Sequence, residues 1–546
     1  MAGIGRNTFW LSRILFLRSL GMIYSVAFLV ALHQNRALIG GNGLMPMKSF
    51  LGRVESQLKT AETPFGHLQK VPTIFWFIER SDENLDIVAS SGLGLSILLF
   101  FGFGDNGLIL LVLWGLYHSI VNVGQTFYGF GWESQLLETG FLAIFMCPFF
   151  RISSKSSKSP PSRLVWFLLI WLEFRIMIGA GLIKIRAKDS CWLNLTCLRY
   201  HYETQPNPNP LSWLLHQQSA NLQSFGVVVN HFLELIVPSF LLIPYRPMRL
   251  TAGIMQILFQ IILIVSGNLS FLNWLTILPS IAALDDRFLS VFFPKNVVSA
   301  VSKAENELSS KPSNVRWIST RNLRYFVHSI LFLGIGFLSW NGPIQNLLSE
   351  RQIMNTSFDS LRLVNTYGAF GHVGKERNEV IISGTYDSQI TENTRWIEFE
   401  FKCKPGNTTR RPCIISPYHY RLDWQIWFAG FPPHSIQRHP WIAHLVGKLL
   451  LWDEQILNLL DPINHVVFPF GPPIWIKADM YRYEFTNLSE WNSEFWWKRS
   501  KFQEFLPPLN LNSEQLHKFL KAYGWTIPRK RRVIQTSKGT SESNKS

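Results

Sequence analysis

Five ionisable side chains sit inside long apolar runs of this sequence: Glu138, Glu173, Arg175, His231 and Glu234. In hydrocarbon such groups are costly, and they normally face a partner of opposite charge, a bundle interior or a polar cavity. Two chemistries are open to them: a proton relay or polar substrate pocket, or ion pairing between helices that fixes packing. Glu173 and Arg175 lie two positions apart, about 200° around a helix, so each needs its own partner. Pairing for packing is the expectation. Lys184, which closes G-A-G-L-I-K at the end of an apolar run, reads as a snorkelling anchor.

The second half carries a different candidate group. Arg421 to Phe428 reads R-L-D-W-Q-I-W-F, with Arg410 and Arg411 upstream. Asp423 amid Arg410, Arg411 and Arg421 suits an ion pair supporting an aromatic surface better than acid catalysis. Trp424 and Trp427 suit either a core or a binding face. Hydrolase elbows, zinc-helix motifs and phosphate loops are missing, and His419, His434, His439, His444 and His465 lack metal-like pairing. No cofactor and no metal is expected. The five cysteines form no C-x-x-C pair, which removes the usual thiol-exchange context.

The elements that must position these residues are membrane helices. Of 546 residues 47% are hydrophobic and only 16% charged, below the roughly 25% of an ordinary soluble domain. Nine apolar segments approach the roughly 20 residues that cross a bilayer. They run near Ile14 to Leu32, Leu85 to Phe103, Asn106 to Val123, Leu136 to Phe150, Leu164 to Ile185, Ser224 to Ile243, Leu250 to Gly267, Phe271 to Leu284 and Tyr325 to Trp340. Two are short, so seven to nine spans are expected.

The net charge of +16 is spread over short loops, which fits the positive-inside rule rather than a nucleic-acid face. With Arg6 and Arg13 cytosolic, the loops carrying Arg151, Lys155, Lys158 and Arg163, then Arg246 and Arg249, then Arg287 to Arg324, all fall on the cytosolic side. The Arg529 to Arg532 cluster reads as a solvated patch. The same arithmetic places Cys191, Cys197 and everything after Gly342 in an oxidising lumen, where disulfides Cys191 to Cys197 and Cys403 to Cys413 are expected and Cys147 stays free. Asn194, Asn355, Asn407 and Asn487 begin glycosylation triplets on that side; Asn268 abuts a span.

Past Trp340 the periodicity changes. Trp396 to Cys403 alternates apolar and charged residues as a half-buried strand does, and Met480 to Thr486 repeats the pattern. Trp441 to Leu460 has helical spacing, and Asn512 with Gln515 resembles a capping box before a stripe that Gly524 closes. The fold expected is thus a polytopic α-helical membrane bundle (residues 1–341), then a lumenal mixed α/β domain with antiparallel strands (342–536) and a polar tail (537–546) that is disordered.

Several strings resemble the lipase maturation factor family of endoplasmic-reticulum membrane proteins. They are WESQLLETGFLAIF (Trp132 to Phe145), RIMIGAGLIKIR (Arg175 to Arg186), CWLNLTCLRYHYETQPNPNPLSW (Cys191 to Trp213), SGNLSFLNWLTILPSIAALDD (Ser266 to Asp286), WIEFEFKCKPGNTTRRPCIISPYHYRLDWQIWFAG (Trp396 to Gly430), YRYEFT (Tyr481 to Thr486) and FWWKR (Phe495 to Arg499). The resemblance implies a multi-pass membrane protein that helps secreted lipases such as lipoprotein lipase mature, a folding or assembly factor rather than an enzyme. Lipase clients and the bilayer are the implied partners. A membrane-embedded enzyme, a thiol-exchange protein and a transporter are the competing readings; a transporter predicts inverted repeats, which are not found.

Overall fold

In lipid every backbone group must be paired within the segment, so apolar runs of this length fold as helices. The computed structural model describes residues 8–58, 66–149, 160–309 and 320–528. Arg6, Arg151, Lys155, Lys158, Lys311, Arg316, the Arg529 to Arg532 cluster and the tail lie outside the described residues. The membrane half runs α1 (Trp10–Ile39), α2 (Asp82–Phe101), α3 (Gly107–Val123), α4 (Gly131–Ile144) and α5 (Arg163–Arg186). Short helices follow, among them α6 (Leu198–Thr204) and α7 (Pro210–His216), and later come α8 (Ala220–Leu242), α9 (Arg246–Ser266), α10 (Leu272–Ile281) and α11 (Asn322–Leu348).

Among the described residues six helices are long and apolar enough to cross a membrane: α1, α2, α5, α8, α9 and α11. That is fewer than the seven to nine expected. Helices α3, α4 and α10 have 17, 14 and 10 residues. At 1.5 Å per residue they reach about 26, 21 and 15 Å, short of the roughly 30 Å of a hydrocarbon core. Nearly all of α4 is buried among its neighbours.

Acidic caps gather the N-terminal end of the bundle. Asp286 accepts the N–H groups of Trp10 (2.8 Å) and Leu11 (2.7 Å), Arg246 binds Asp285 at 2.5 Å, and Arg18 binds Asp105 at 2.5 Å. The far end of α1 meets the C-terminal half instead. There Gln34 donates to the His419 carbonyl (2.9 Å) and accepts the Arg421 N–H (2.8 Å).

The C-terminal half holds an antiparallel sheet in the order β2-β1-β3-β4, from β1 (Arg377–Thr385), β2 (Ile397–Glu398), β3 (Trp475–Phe485) and β4 (Trp497–Leu509). Val380 stands opposite Met480, and Tyr483 opposite Arg499. Residues 480–485 are strand, as their alternation requires. The expected strand at Trp396 to Cys403 is cut to two residues, because its later backbone groups are engaged elsewhere. The Glu400 N–H goes to Asn464 (2.9 Å), and the Cys403 and Lys404 N–H groups go to Asp423 (2.6 and 2.9 Å).

Helix α12 (Arg421–Trp427) precedes α13 (Trp441–Leu450), and α14 (Glu514–Ala522) ends before Gly524, whose φ of +74° suits a residue without Cβ. The stripe expected to run to Leu460 breaks after α13, and the cap of α14 is Ser513 rather than Asn512. The boundary placed at Gly342 falls inside α11, which continues through a π-turn at Trp340–Ile344. One hydrophobic core runs through both halves: Trp132 of α4 packs on Trp424 of α12 with ring centroids 4.8 Å apart, and Phe127 packs on Trp441 at 5.7 Å.

Candidate functional site

Helix geometry sends Glu173 and Arg175 to opposite sides of α5, and they find separate partners. Glu173 accepts from the Ser280 hydroxyl on α10 (2.7 Å). Arg175 pairs with Glu138 of α4, both side chains 1% exposed. The second Glu138 oxygen accepts from the Asn365 backbone N–H and side-chain amide (both 3.0 Å) and from the Tyr367 hydroxyl (2.7 Å). Arg175 also donates to the Asn365 carbonyl at 2.8 Å. This pair therefore holds a segment that follows α11.

Lys184 does not snorkel. It is buried, pairs with Glu234 of α8 and sits 5.1 Å over the Trp192 ring. Asn230 donates to the other Glu234 oxygen at 2.9 Å, and a ring nitrogen of His231 lies 3.4 Å from the Trp192 carbonyl. Among the described residues no His, Cys, Asp or Glu grouping could hold a metal.

The largest correction concerns the R-L-D-W segment, whose residues face inward. Arg421 is fully buried and donates to Glu133 of α4 (2.6 Å) and to the Phe127 carbonyl (2.8 Å), its guanidinium 3.5 Å over the Tyr128 ring. Glu133 also accepts from the Tyr117 hydroxyl and the Trp132 indole N–H. Asp423 pairs with none of the three arginines: it holds the Cys403 and Lys404 N–H groups, and burial raises its carboxyl against those two donors. Trp424 is core. Trp427 is half-buried and donates to the Thr204 carbonyl at 3.0 Å. Arg410 lies on Glu400 (3.3 Å) and Asp461 (3.6 Å), while Arg411 is exposed. Of the six client-binding candidates only Arg411 and Trp427 thus present appreciable surface away from an ion pair.

Sequence reasoning missed the counterparts. Glu133 stands five residues before Glu138 on the same helix, and the signal was its place in W-E-S-Q-L-L-E. Arg377 of β1 donates to the carbonyls of Glu203 (2.7 Å), Gln205 (2.5 Å) and Pro206 (2.8 Å), gripping the Q-P-N-P-N-P loop between α6 and α7. Burial pushes the Glu203 carboxyl up to about 7, against the Phe485 N–H that it accepts at 2.7 Å. Asn268, 1% exposed, binds the Cys413 carbonyl (2.9 Å) and the Ile415 N–H (3.0 Å), which leaves no room for a glycan. Asn194, Asn355, Asn407 and Asn487 are exposed. Cys191–Cys197 and Cys403–Cys413 are disulfides, and Cys147 is free and buried.

A shallow cleft opens along the same seam, between His201, Phe370, His372, Trp427 and Phe431. Burial, with Lys184 behind it, pulls the His201 imidazole down to about 4, so it is neutral there.

Helices of spanning length, buried ion pairs between them and a sheet domain locked onto one end define a multi-pass membrane protein whose two halves share a core. A family model described as the lipase maturation factor transmembrane domain matches residues 11–291, and one described as the lipase maturation factor C-terminal domain matches residues 363–507. The chain belongs to the lipase maturation factor family. It is 46% identical to Lipase maturation factor 1 of Mus musculus over 538 residues, covering 96% of this chain and 92% of that protein, and 45% identical to the Homo sapiens protein of that name with the same coverage. To Lipase maturation factor 2 of Xenopus tropicalis it is 30% identical, covering 94% of this chain and 84% of that protein. No solved structure matches.

Proposed function

We propose that this protein is an endoplasmic-reticulum membrane factor that assists the folding, assembly and maturation of secreted lipases such as lipoprotein lipase, and that it does so by binding rather than by catalysis. The observation that carries the reading is 46% identity along 96% of the chain to a protein named Lipase maturation factor 1. The ion pairs support it, since Arg175–Glu138, Lys184–Glu234 and Arg421–Glu133 each tie one element to another. The N-terminus is cytosolic and the C-terminal domain lumenal, with α3, α4 and α10 as short crossings shielded by the longer helices. Client contact falls to exposed surface of the C-terminal half, and Arg411 and Trp427 are retained for it.

The test is deletion of the gene in lipase-secreting cells and re-expression of this chain. Secreted lipase activity per unit of secreted lipase protein is expected to fall on deletion and return on re-expression. An unchanged ratio rejects the proposal. In sealed microsomes, protease cutting of the C-terminal half rejects the topology independently.

A further inference from the structure

The connection between β3 and β4, residues 486–496, carries apolar side chains that nothing covers among the described residues. Trp491 is 63% exposed, Phe495 52% and Leu488 55%. Single exposed apolar residues are ordinary, but a contiguous group marks a contact surface. What matters is where this one is fastened.

Its anchor is α7. The Trp213 indole donates to the Thr486 carbonyl (3.0 Å), Gln217 donates to the same carbonyl (3.1 Å), and the Leu488 N–H donates to Gln217 (3.2 Å). The Trp213 ring lies 5.3 Å from Trp491 and 5.9 Å from Trp496. Helix α7 is in turn fixed to the end of a spanning helix: Ser212 donates to the Ser266 carbonyl (2.8 Å) and Asn209 to the Val265 carbonyl (2.9 Å), the last residues of α9. Spanning helix α8 starts at Ala220, shortly beyond α7. Leu211 and Leu214 of α7 are exposed, as are Leu222 and Phe225 in the first turns of α8 and Ile262 and Val265 in the last turns of α9. The connection and its exposed apolar side chains are therefore fastened, through α7, beside the ends of two spans that also carry exposed apolar side chains.

We propose that the β3–β4 connection, through Leu488, Trp491 and Phe495 together with Leu211 and Leu214, lies in the headgroup boundary of the bilayer that the helices cross, and fastens the C-terminal sheet to the membrane. Tryptophan suits this layer because its ring is apolar and its N–H is polar. Glu490 is held by Lys498 (2.8 Å) and the Asn487 N–H (3.0 Å), and exposed Glu494 remains in the wet headgroup layer. The inference rests on the membrane reading of the helices and not on the lipase reading.

The full chain in phosphatidylcholine nanodiscs tests it. An environment-sensitive fluorophore is attached through Trp491→Cys, Phe495→Cys and, as a reference, Phe470→Cys, which replaces an 83% exposed residue outside this group. Buried Cys147 stays unlabelled in the parent control. A nitroxide on the upper acyl chain is expected to quench the labels at 491 and 495 several-fold more than the label at 470, and an aqueous quencher to do the reverse. Equal aqueous quenching at all three positions overturns the proposal and leaves the patch for a protein partner. So does a glycan on Asn487 of the cellular protein, because a site in the headgroup layer is out of reach of the modifying enzyme. Two independent label positions guard against a substitution that merely disturbs the turn.

Discussion

Arg421→Ala is the sharpest perturbation of the seam. Arg421 and Glu133 are both 0% exposed, and the guanidinium also serves the Phe127 carbonyl. Without it Glu133 keeps only the Tyr117 hydroxyl and the Trp132 N–H as donors, and a carboxylate remains in a dry site. Breaking a buried pair in this way costs about 3 to 5 kcal/mol. Roughly 4 kcal/mol is about three decades in the docking equilibrium. For a unit of 150 to 250 residues that is a fall of about 8 to 16 °C in melting temperature. The assay is thermal melting of the full chain in nanodiscs by intrinsic fluorescence, beside limited proteolysis of residues 342–528. The double variant Arg421→Ala with Glu133→Gln should recover part of the loss, because it removes the stranded charge. If Arg421→Ala melts within about 3 °C of the parent, less than roughly 1.5 kcal/mol, the pair does not hold the halves together.

The remaining expectations are smaller in scope. Glu203 has a folded pKa of about 7, raised from 4.5 chiefly by burial, so below pH 4.5 it is protonated in both states and its own contribution to stability is at its most favourable. As pH rises from 4.5 to 7 the unfolded chain ionises first, and about 3 kcal/mol is lost as an upper figure; Glu203→Gln should flatten a denaturation profile over that window, and an unflattened profile contradicts the assignment. Trp424→Ala opens a cavity in a 5% exposed core site and should lower cellular abundance through a loss of about 3 to 5 kcal/mol, whereas half-buried Trp427→Ala should leave the protein abundant; equal abundance of the two variants refutes the distinction. Replacing Cys403 and Cys413 by serine releases a 10-residue separation and should cost about 2 to 3 kcal/mol in melts under non-reducing conditions, with peptide mapping of the parent showing both bridges.

How much of this was legible in the sequence depended on whether the deciding partner was local. The split between Glu173 and Arg175 follows from helix geometry alone, and so did the need for two partners. The strand at 480–485 and the stop at Gly524 follow from alternation and from the demand for positive φ. Arg421 was opaque because Glu133 lies 288 positions away, and no local spacing reports on such a pair. Asp423 misled for the same reason: Arg410 and Arg421 are taken by Glu400 and Glu133, and the backbone N–H groups of Cys403 and Lys404 hold the carboxylate instead. Lys184 looked like an interfacial anchor because a span end was visible while Glu234, on another helix, was not. Apolar length alone does not decide the role of α3, α4 and α10, since a helix covered by protein need not match the bilayer in length.

Four of the polar clamps that join the halves have chain positions that set an order of assembly. Glu138 and Glu133 of α4, the 203–206 loop and Asn268 belong to the part made first. Their partners Asn365, Arg421, Arg377 and the backbone of 413–415 belong to the part made last. Until the later residues arrive, Glu133 faces the seam without its arginine, and the Arg175–Glu138 pair lacks the two N–H groups and the carbonyl that Asn365 supplies. Half-satisfied buried networks destabilise more than apolar cores do. A chain ending after Leu348 should therefore insert in membranes yet be degraded faster than the full chain, by pulse-chase. Glu133→Leu in that short chain should lengthen its life, since it removes the uncompensated carboxylate, and the same substitution in the full chain should shorten it by stranding Arg421. A short chain as long-lived as the full one, or a Glu133→Leu effect of the same sign in both, would show that the membrane half completes its own core and that the clamps only orient the sheet.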